Sequence, residues 1–328
     1  MKGSPMKIAE SLKLSLVLMA LSCALPSDAW AQGPGFREKP EIIPDFAQAR
    51  PVLHGEVRIL WYTSKAFAAP RRMRVYTPPG YEKGGLRYPV AYLLHGGGGD
   101  DATWMNAAHA EFILDNLIAS GKARPMIVVM PPAGPVDPKS DTFAGDNTPE
   151  GLAGRKTFSD GVRDTFLADL TSAIVPFVDR NFRTLADRDD RAVAGYSFGG
   201  AETIWAATRD LDKFSWFGVF SMGVQIGSTA PPNAVAGSGV AMTKAEFVAA
   251  NPGFFAHPTD TNARLRYLLV AVGKDDRIVG NGPSQLDAVL TDGGIKHSYV
   301  ASEGGHDFTN WQVYLRDFLG TIFQPKQR

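Results

Sequence analysis

Cysteine is all but missing. The chain of 328 residues has one, Cys23, inside an apolar N-terminal stretch. Beyond that stretch there is no thiol for a disulfide, a thiolate metal site or a cysteine nucleophile. Charge of one sign is also missing: 34 Lys and Arg balance 34 Asp and Glu, for a formal net charge of +0. A dominant polyanion-binding role is thereby disfavoured, because nucleic-acid binders carry a basic excess. The six histidines are scattered. No H-E-x-x-H pair, no D-x-D-x-D-G loop and no G-x-x-x-x-G-K loop occurs, so neither a metal, a phosphate cradle nor any other cofactor is implied. Apolar residues are plentiful, at 44% hydrophobic and 10% aromatic. That excludes disorder over most of the length and is enough for a large core.

The N-terminus reads as a secretory signal over residues 1–31. Lys2, Lys7 and Lys13 supply positive charge, an apolar run extends from about Leu14 to Leu25, and Ala29-Trp30-Ala31 presents small residues for cleavage after Ala31. A membrane anchor is the rival reading, but the run is short of the roughly 20 residues a span needs. A lipidated Cys23 is a second rival, poorly served by Leu21-Ser22 before it. Residues 32–52 carry Pro34, Pro40, Pro44 and Pro51 and read as a leader. Residues 53–328 are expected to form a single domain of an exported protein, periplasmic or extracellular, with no stable membrane association after cleavage.

Within that domain apolar runs alternate with helix patterns. Strands are expected at Val57–Tyr62, Met73–Tyr76, Val90–Leu94, Ile127–Met130, Ala192–Ala194, Phe217–Phe220, Leu268–Val272 and His297–Val300. Helical spacing links Phe112, Leu114, Leu117 and Ile118, and then Phe166, Leu170, Ile174 and Phe177 in a longer helix. Further helices are read at 201–207, 286–290 and 313–323. Such alternation predicts an α/β fold, a mostly parallel central sheet with helices on both faces. The stretch Gly223 to Arg264 has weak strand signal; Thr243 to Glu246 reads as a capping box, and the segment as a candidate lid or pocket rim.

Gly195-Tyr196-Ser197-Phe198-Gly199 matches G-x-S-x-G between an expected strand and an expected helix. That context makes Ser197 a nucleophile, pushed out above the sheet by a sharp turn. A serine hydroxyl needs a base. His54, His95 and His109 precede the serine, and His257 precedes the strand that would carry the acid. His297 opens a strand and reads as structural. His306, in Gly304-Gly305-His306-Asp307-Phe308 after the last strand, remains as the base. An acid is expected after the strand Leu268–Val272, where Asp275 and Asp276 compete. The glycine run after Leu94-His95 exposes backbone N–H groups to a developing oxyanion, with the Phe198 N–H as second donor. Trp104 and Trp311 flank these loops; they either line the acyl pocket or pack in the core beneath it.

These motifs in register resemble the esterase D / feruloyl esterase group of α/β-hydrolases, carbohydrate esterase family 1, and within it xylan-feruloyl esterase domains. The matching stretches are Arg71 to Tyr81, Tyr88 to Gly96, Arg191 to Gly200, Val272 to Asp276 and Gly304 to Phe308. The resemblance implies an α/β-hydrolase fold with Ser197 as nucleophile, Asp276 as acid and His306 as base. It also implies an oxyanion hole formed by the N–H groups of Gly97 and Phe198. Many relatives carry methionine where this chain has Phe198, and Gly223 to Arg264 finds no match. The expected function is a serine carboxylic-ester hydrolase working through an acyl-enzyme. Its expected substrate is a small-molecule or polysaccharide-linked ester, feruloyl or acetyl. Rival expectations are an acyltransferase on the same scaffold and a non-catalytic carbohydrate- or wall-binding protein.

Overall fold

The computed structural model describes residues 43–132, 161, 163–224 and 243–324. The expected signal, the first part of the leader and half of the candidate lid lie outside the described residues. One sheet of eight strands organises the chain, in the order β1-β2-β4-β3-β5-β6-β7-β8. The strands are β1 (Glu56–Ser64), β2 (Ala69–Thr77), β3 (Val90–Leu94), β4 (Ile127–Met130), β5 (Arg191–Tyr196), β6 (Trp216–Phe220), β7 (Tyr267–Gly273) and β8 (Ser298–Ser302). From β4 to β8 every neighbouring pair is parallel, while β2 runs antiparallel to both β1 and β4. All eight expected strands are present: β3 and β4 have the expected ends, β2 begins four residues earlier, and the others are lengthened or shifted by a residue or two. His297 falls just before its strand.

Successive side chains of a strand point to opposite faces, and both faces here are covered. Val90, Tyr92 and Leu94 of β3 enter one core with residues of α3 (163–169), α5 (Phe198–Arg209) and α9 (Gly282–Asp292). Ala91 and Leu93 enter the other, with α1 (Thr103–Asn106), α2 (Ala110–Ala119) and α10 (Phe308–Thr321). Each fully buried aliphatic or aromatic side chain contributes ~1.5–3 kcal/mol, so the central strands need no polar face. This is the α/β-hydrolase arrangement, with the carboxyl ends of the parallel strands along one edge.

The long helix expected around Phe166 to Phe177 contains a π-helical stretch, Leu170–Ile174, between α3 and α4 (Val175–Asn181). Pro176 in the first turn of α4 explains it. The ring lacks an N–H and would collide with the carbonyl four residues back, so the helix widens there. In the Gly223 to Arg264 stretch, residues 243–264 form α6 (Lys244–Ala250), α7 (Pro252–Phe255) and α8 (Pro258–Arg264). The capping box is present: the Glu246 N–H donates to Thr243 Oγ1 at 3.2 Å, and the Thr243 N–H donates to Glu246 Oε2 at 2.7 Å. Phe247, Phe254 and Phe255 are buried, which ties this half to the core. The end of the leader is docked too: Asn116 Nδ2 of α2 donates to the carbonyls of Phe46 and Gln48 at 3.0 and 2.9 Å.

Candidate active site

The turn between β5 and α5 places Ser197. Its backbone stands at φ 52°, ψ −121°, a strained region for a residue with a side chain. Two glycines make the turn sterically feasible. A Cβ at Gly195 would lie 2.4 Å from the Gly199 carbonyl oxygen, and one at Gly199 would lie 2.4 Å from that of Leu94. The Ser197 N–H donates to Phe220 O at 2.9 Å, which seats the turn on β6. Ser197 itself is half-exposed.

Asp276 and His306 leave the ends of β7 and β8. Their loops are joined: the Asp275 N–H donates to Gly304 O at 2.9 Å and the Lys274 N–H to Ser302 O at 2.7 Å. Asn310 Nδ2 donates to Gly305 O at 2.9 Å and holds the glycine-rich arm. In this setting His306 Nδ1 lies 2.8 Å from Asp276 Oδ2, both groups buried. The carboxylate can only accept, so Nδ1 carries the proton and Nε2 keeps a lone pair. Asp276 Oδ1 accepts the N–H groups of Ile278 and Val279 at 3.1 and 3.2 Å, which fixes the carboxylate plane. Asp275 is exposed and turned away. Of the two aspartates, Asp276 is the one that meets His306. Ser197 Oγ makes no hydrogen bond among the described residues; catalytic contacts of a free enzyme often close only on substrate.

Neither the Gly97 nor the Phe198 N–H donates to a protein acceptor among the described residues. Phe198 opens α5, where the first N–H groups have no intrahelical partner and the helix dipole is positive. The Phe198 ring packs edge-on against Trp205, 5.8 Å between centroids. His95 is no second base. Its Nδ1 donates to Gly96 O at 2.8 Å within the glycine turn, the ring is buried, and burial pushes its pKa down. His54 is engaged by Asp115, and His297 by Asp287 and the Ile295 carbonyl.

The pocket-wall reading of Trp104 and Trp311 is corrected. Trp104 is 1% exposed and Trp311 0%, so neither offers a face to an acyl group. They pack around Tyr196, the residue before the nucleophile. Trp104 meets it edge-on at 5.0 Å, Trp311 stacks on it at 4.1 Å, and Phe308 closes the box at 5.1 Å. Their proximity to the catalytic loops in the chain reflects support from below.

One feature of the site went unread in the sequence. Asp101, just past the glycine turn, is buried and accepts Arg72 Nη2 at 2.6 Å, with Arg74 Nε 3.4 Å away. Arg72 and Arg74 project from one face of β2, and this clamp anchors the far end of the glycine turn. The signal was there in the alternation Arg72-Met73-Arg74 beside Asp100-Asp101.

The family model described as "Putative esterase" matches residues 64–322. An endo-1,4-beta-xylanase/feruloyl esterase of Xylanibacter ruminicola is 29% identical over 284 residues, covering 85% of this chain and 33% of that protein. An esterase of Mycobacterium tuberculosis is 33% identical over 161 residues, 48% of this chain and 30% of that protein. The chain therefore spans about a third of the length of these curated relatives. Among solved structures, a ferulic acid esterase of Anaeromyces mucronatus in complex with ferulic acid superposes with a TM-score of 0.67. It is 23% identical, over 85% of this chain and 96% of that one. A feruloyl esterase module of Clostridium thermocellum complexed with sinapinate gives 0.58 at 20% identity, over 90% and 95%. With the family model spanning most of its length, the chain belongs to the esterase family of α/β-hydrolases.

Proposed function

We propose that this protein is an exported serine carboxylic-ester hydrolase acting through an acyl-enzyme. The observations that carry the reading are the His306–Asp276 hydrogen bond at 2.8 Å and a serine held at a strained elbow, all three on loops that follow parallel strands of one sheet. Ser197 Oγ attacks the ester carbonyl while His306 Nε2 takes its proton, and Asp276 stabilises the imidazolium. The carbonyl oxygen, now negative, receives the free N–H groups of Gly97 and Phe198. His306 returns the proton to the leaving alcohol, then activates a water that frees the acid and regenerates Ser197. Every proton in this cycle is handled by side chains of the chain itself.

The substrate class we favour is a feruloyl or related hydroxycinnamoyl ester carried on polysaccharide. It is supported by the names of the xylanase/feruloyl esterase relative and of the ferulate and sinapinate complexes. Export is supported by the N-terminal pattern of positive charge, apolar run and Ala-Trp-Ala. The test is turnover of p-nitrophenyl acyl esters and methyl hydroxycinnamates by the mature protein and by Ser197→Ala. Loss on the order of 10⁶ in kcat is expected if the triad acts as a unit. Retained turnover in Ser197→Ala would overturn the assignment, and transfer of the acyl group to added sugars would make the enzyme a transferase.

A further inference from the structure

Ser221 stands one residue past the end of β6, fully buried, with φ at +46°. That left-handed backbone costs a serine strain which glycine would not bear. Its N–H donates to Ala271 O on β7 at 2.7 Å, and its Oγ accepts the indole N–H of Trp311 at 2.9 Å. The preceding carbonyl, Phe220 O, is the one that seats the Ser197 N–H.

Trp311 touches both halves of the proposed machinery. Its ring stacks on Tyr196 at 4.1 Å and 23°, and meets the His306 imidazole at 4.9 Å and 87°. Asp276 holds His306 at Nδ1 alone, and a single hydrogen bond leaves an imidazole free to rock about it. A perpendicular indole against the ring removes that freedom. Burial by itself does not demand the serine: Trp104, equally buried beside Tyr196, has an indole nitrogen with no partner among the described residues.

From this arrangement we infer that Trp311, clamped by the strained Ser221, is a positioning residue that sets the His306 imidazole against the nucleophile turn. The inference rests on the reading of Ser197 and His306 as nucleophile and base. It makes Ser221 a residue kept for its hydroxyl at the expense of backbone comfort. Since misplacement by about 1 Å can cost 10²-fold in rate, a loosened imidazole should be visible in kcat.

The experiment compares Ser221→Gly, Trp311→Phe, the double variant and Ser197→Ala with wild type, in melting temperature and in steady-state turnover of p-nitrophenyl acetate. Glycine relieves the backbone strain and removes the hydroxyl. A purely structural serine therefore predicts an equal or higher melting temperature with unchanged kinetics. Positioning predicts that same melting temperature with kcat lowered ~10-fold and KM within about twofold. Trp311→Phe keeps a ring on Tyr196 and loses the N–H, so its kcat should fall similarly. The double should be no worse than the worse single, because both act through one hydrogen bond. If Trp311→Phe does not fold, Ser221→Gly decides alone. A kcat for Ser221→Gly within twofold of wild type overturns the inference, as do losses that multiply in the double. Turnover retained by Ser197→Ala would instead overturn the triad reading beneath it.

Discussion

His306 Nδ1 and Asp276 Oδ2 meet at 2.8 Å although they leave different strands and stand thirty residues apart in the chain. The pair exists because β7 and β8 are parallel neighbours whose loops emerge at the same sheet edge. Asp275, one position earlier, shares the loop and faces solvent. Asp276→Asn should lower kcat by ~10⁴, since the amide would favour the wrong imidazole tautomer. Asp275→Asn should leave kcat within about twofold. The measurement is kcat on p-nitrophenyl acetate for both variants at matched melting temperature; a larger loss in Asp275→Asn would refute the pairing.

Phe198 contributes to the proposed oxyanion hole through its backbone, so its side chain is replaceable there. Phe198→Met should keep kcat for p-nitrophenyl acetate within about threefold, because the N–H at the start of α5 is retained. A fall of 10² or more, the size associated with losing a donor, would show that the ring and its contact with Trp205 hold the turn itself.

Trp104 is expected to behave as a core residue. Trp104→Leu should cost ~2–4 kcal/mol of stability, in the range of large-to-small core changes. It should also reduce kcat/KM for methyl ferulate and for p-nitrophenyl acetate by the same factor. Thermal denaturation together with the two substrates checks this. A KM effect confined to the ferulate ester, with stability intact, would return Trp104 to the pocket wall.

Glu111 supplies a pH dependence away from the active site. Burial, reinforced by the nearby Asp115, pushes its carboxyl up to about 7, and its Oε2 has no hydrogen-bond partner among the described residues. The unfolded chain releases this proton near 4.5, so between about pH 4.5 and 7 the folded state binds more protons and stability falls as pH rises. Above pH 7 the loss is complete. Glu111→Gln should therefore melt roughly 2–4 °C higher than wild type at pH 8, and the gap should close toward pH 4. Melting curves of both proteins from pH 4 to 8 test the sign; an equal gap at every pH would show that Glu111 does not titrate there.

Much of the fold was legible because buried strands in a two-faced sheet must be continuous apolar runs, and Val90–Leu94 or Leu268–Val272 can be little else. The π stretch at Leu170–Ile174 was not legible. Apolar spacing reports a helical face and says nothing of one extra residue per turn, although Pro176 marked the place. The site was legible where local backbone geometry dictates residue type. Gly195 and Gly199 admit the elbow only because they have no Cβ, so the elbow announces itself in five residues.

By itself the sequence determined the strand–helix alternation, the strained turn at Ser197 and the elimination that left His306, since all three depend on local sterics and chain order. Only the tertiary structure showed that Asp276 and not Asp275 meets His306, because a one-residue shift in a loop changes no composition and no period yet turns a carboxylate from solvent to imidazole. It alone put Trp104 and Trp311 under the site, since nearness to a catalytic loop in the chain does not say on which side of that loop a ring will pack. And it alone joined Ser221 to Trp311, ninety residues apart, because a contact between the end of one strand and the first turn of a distant helix is made by the crossing of layers.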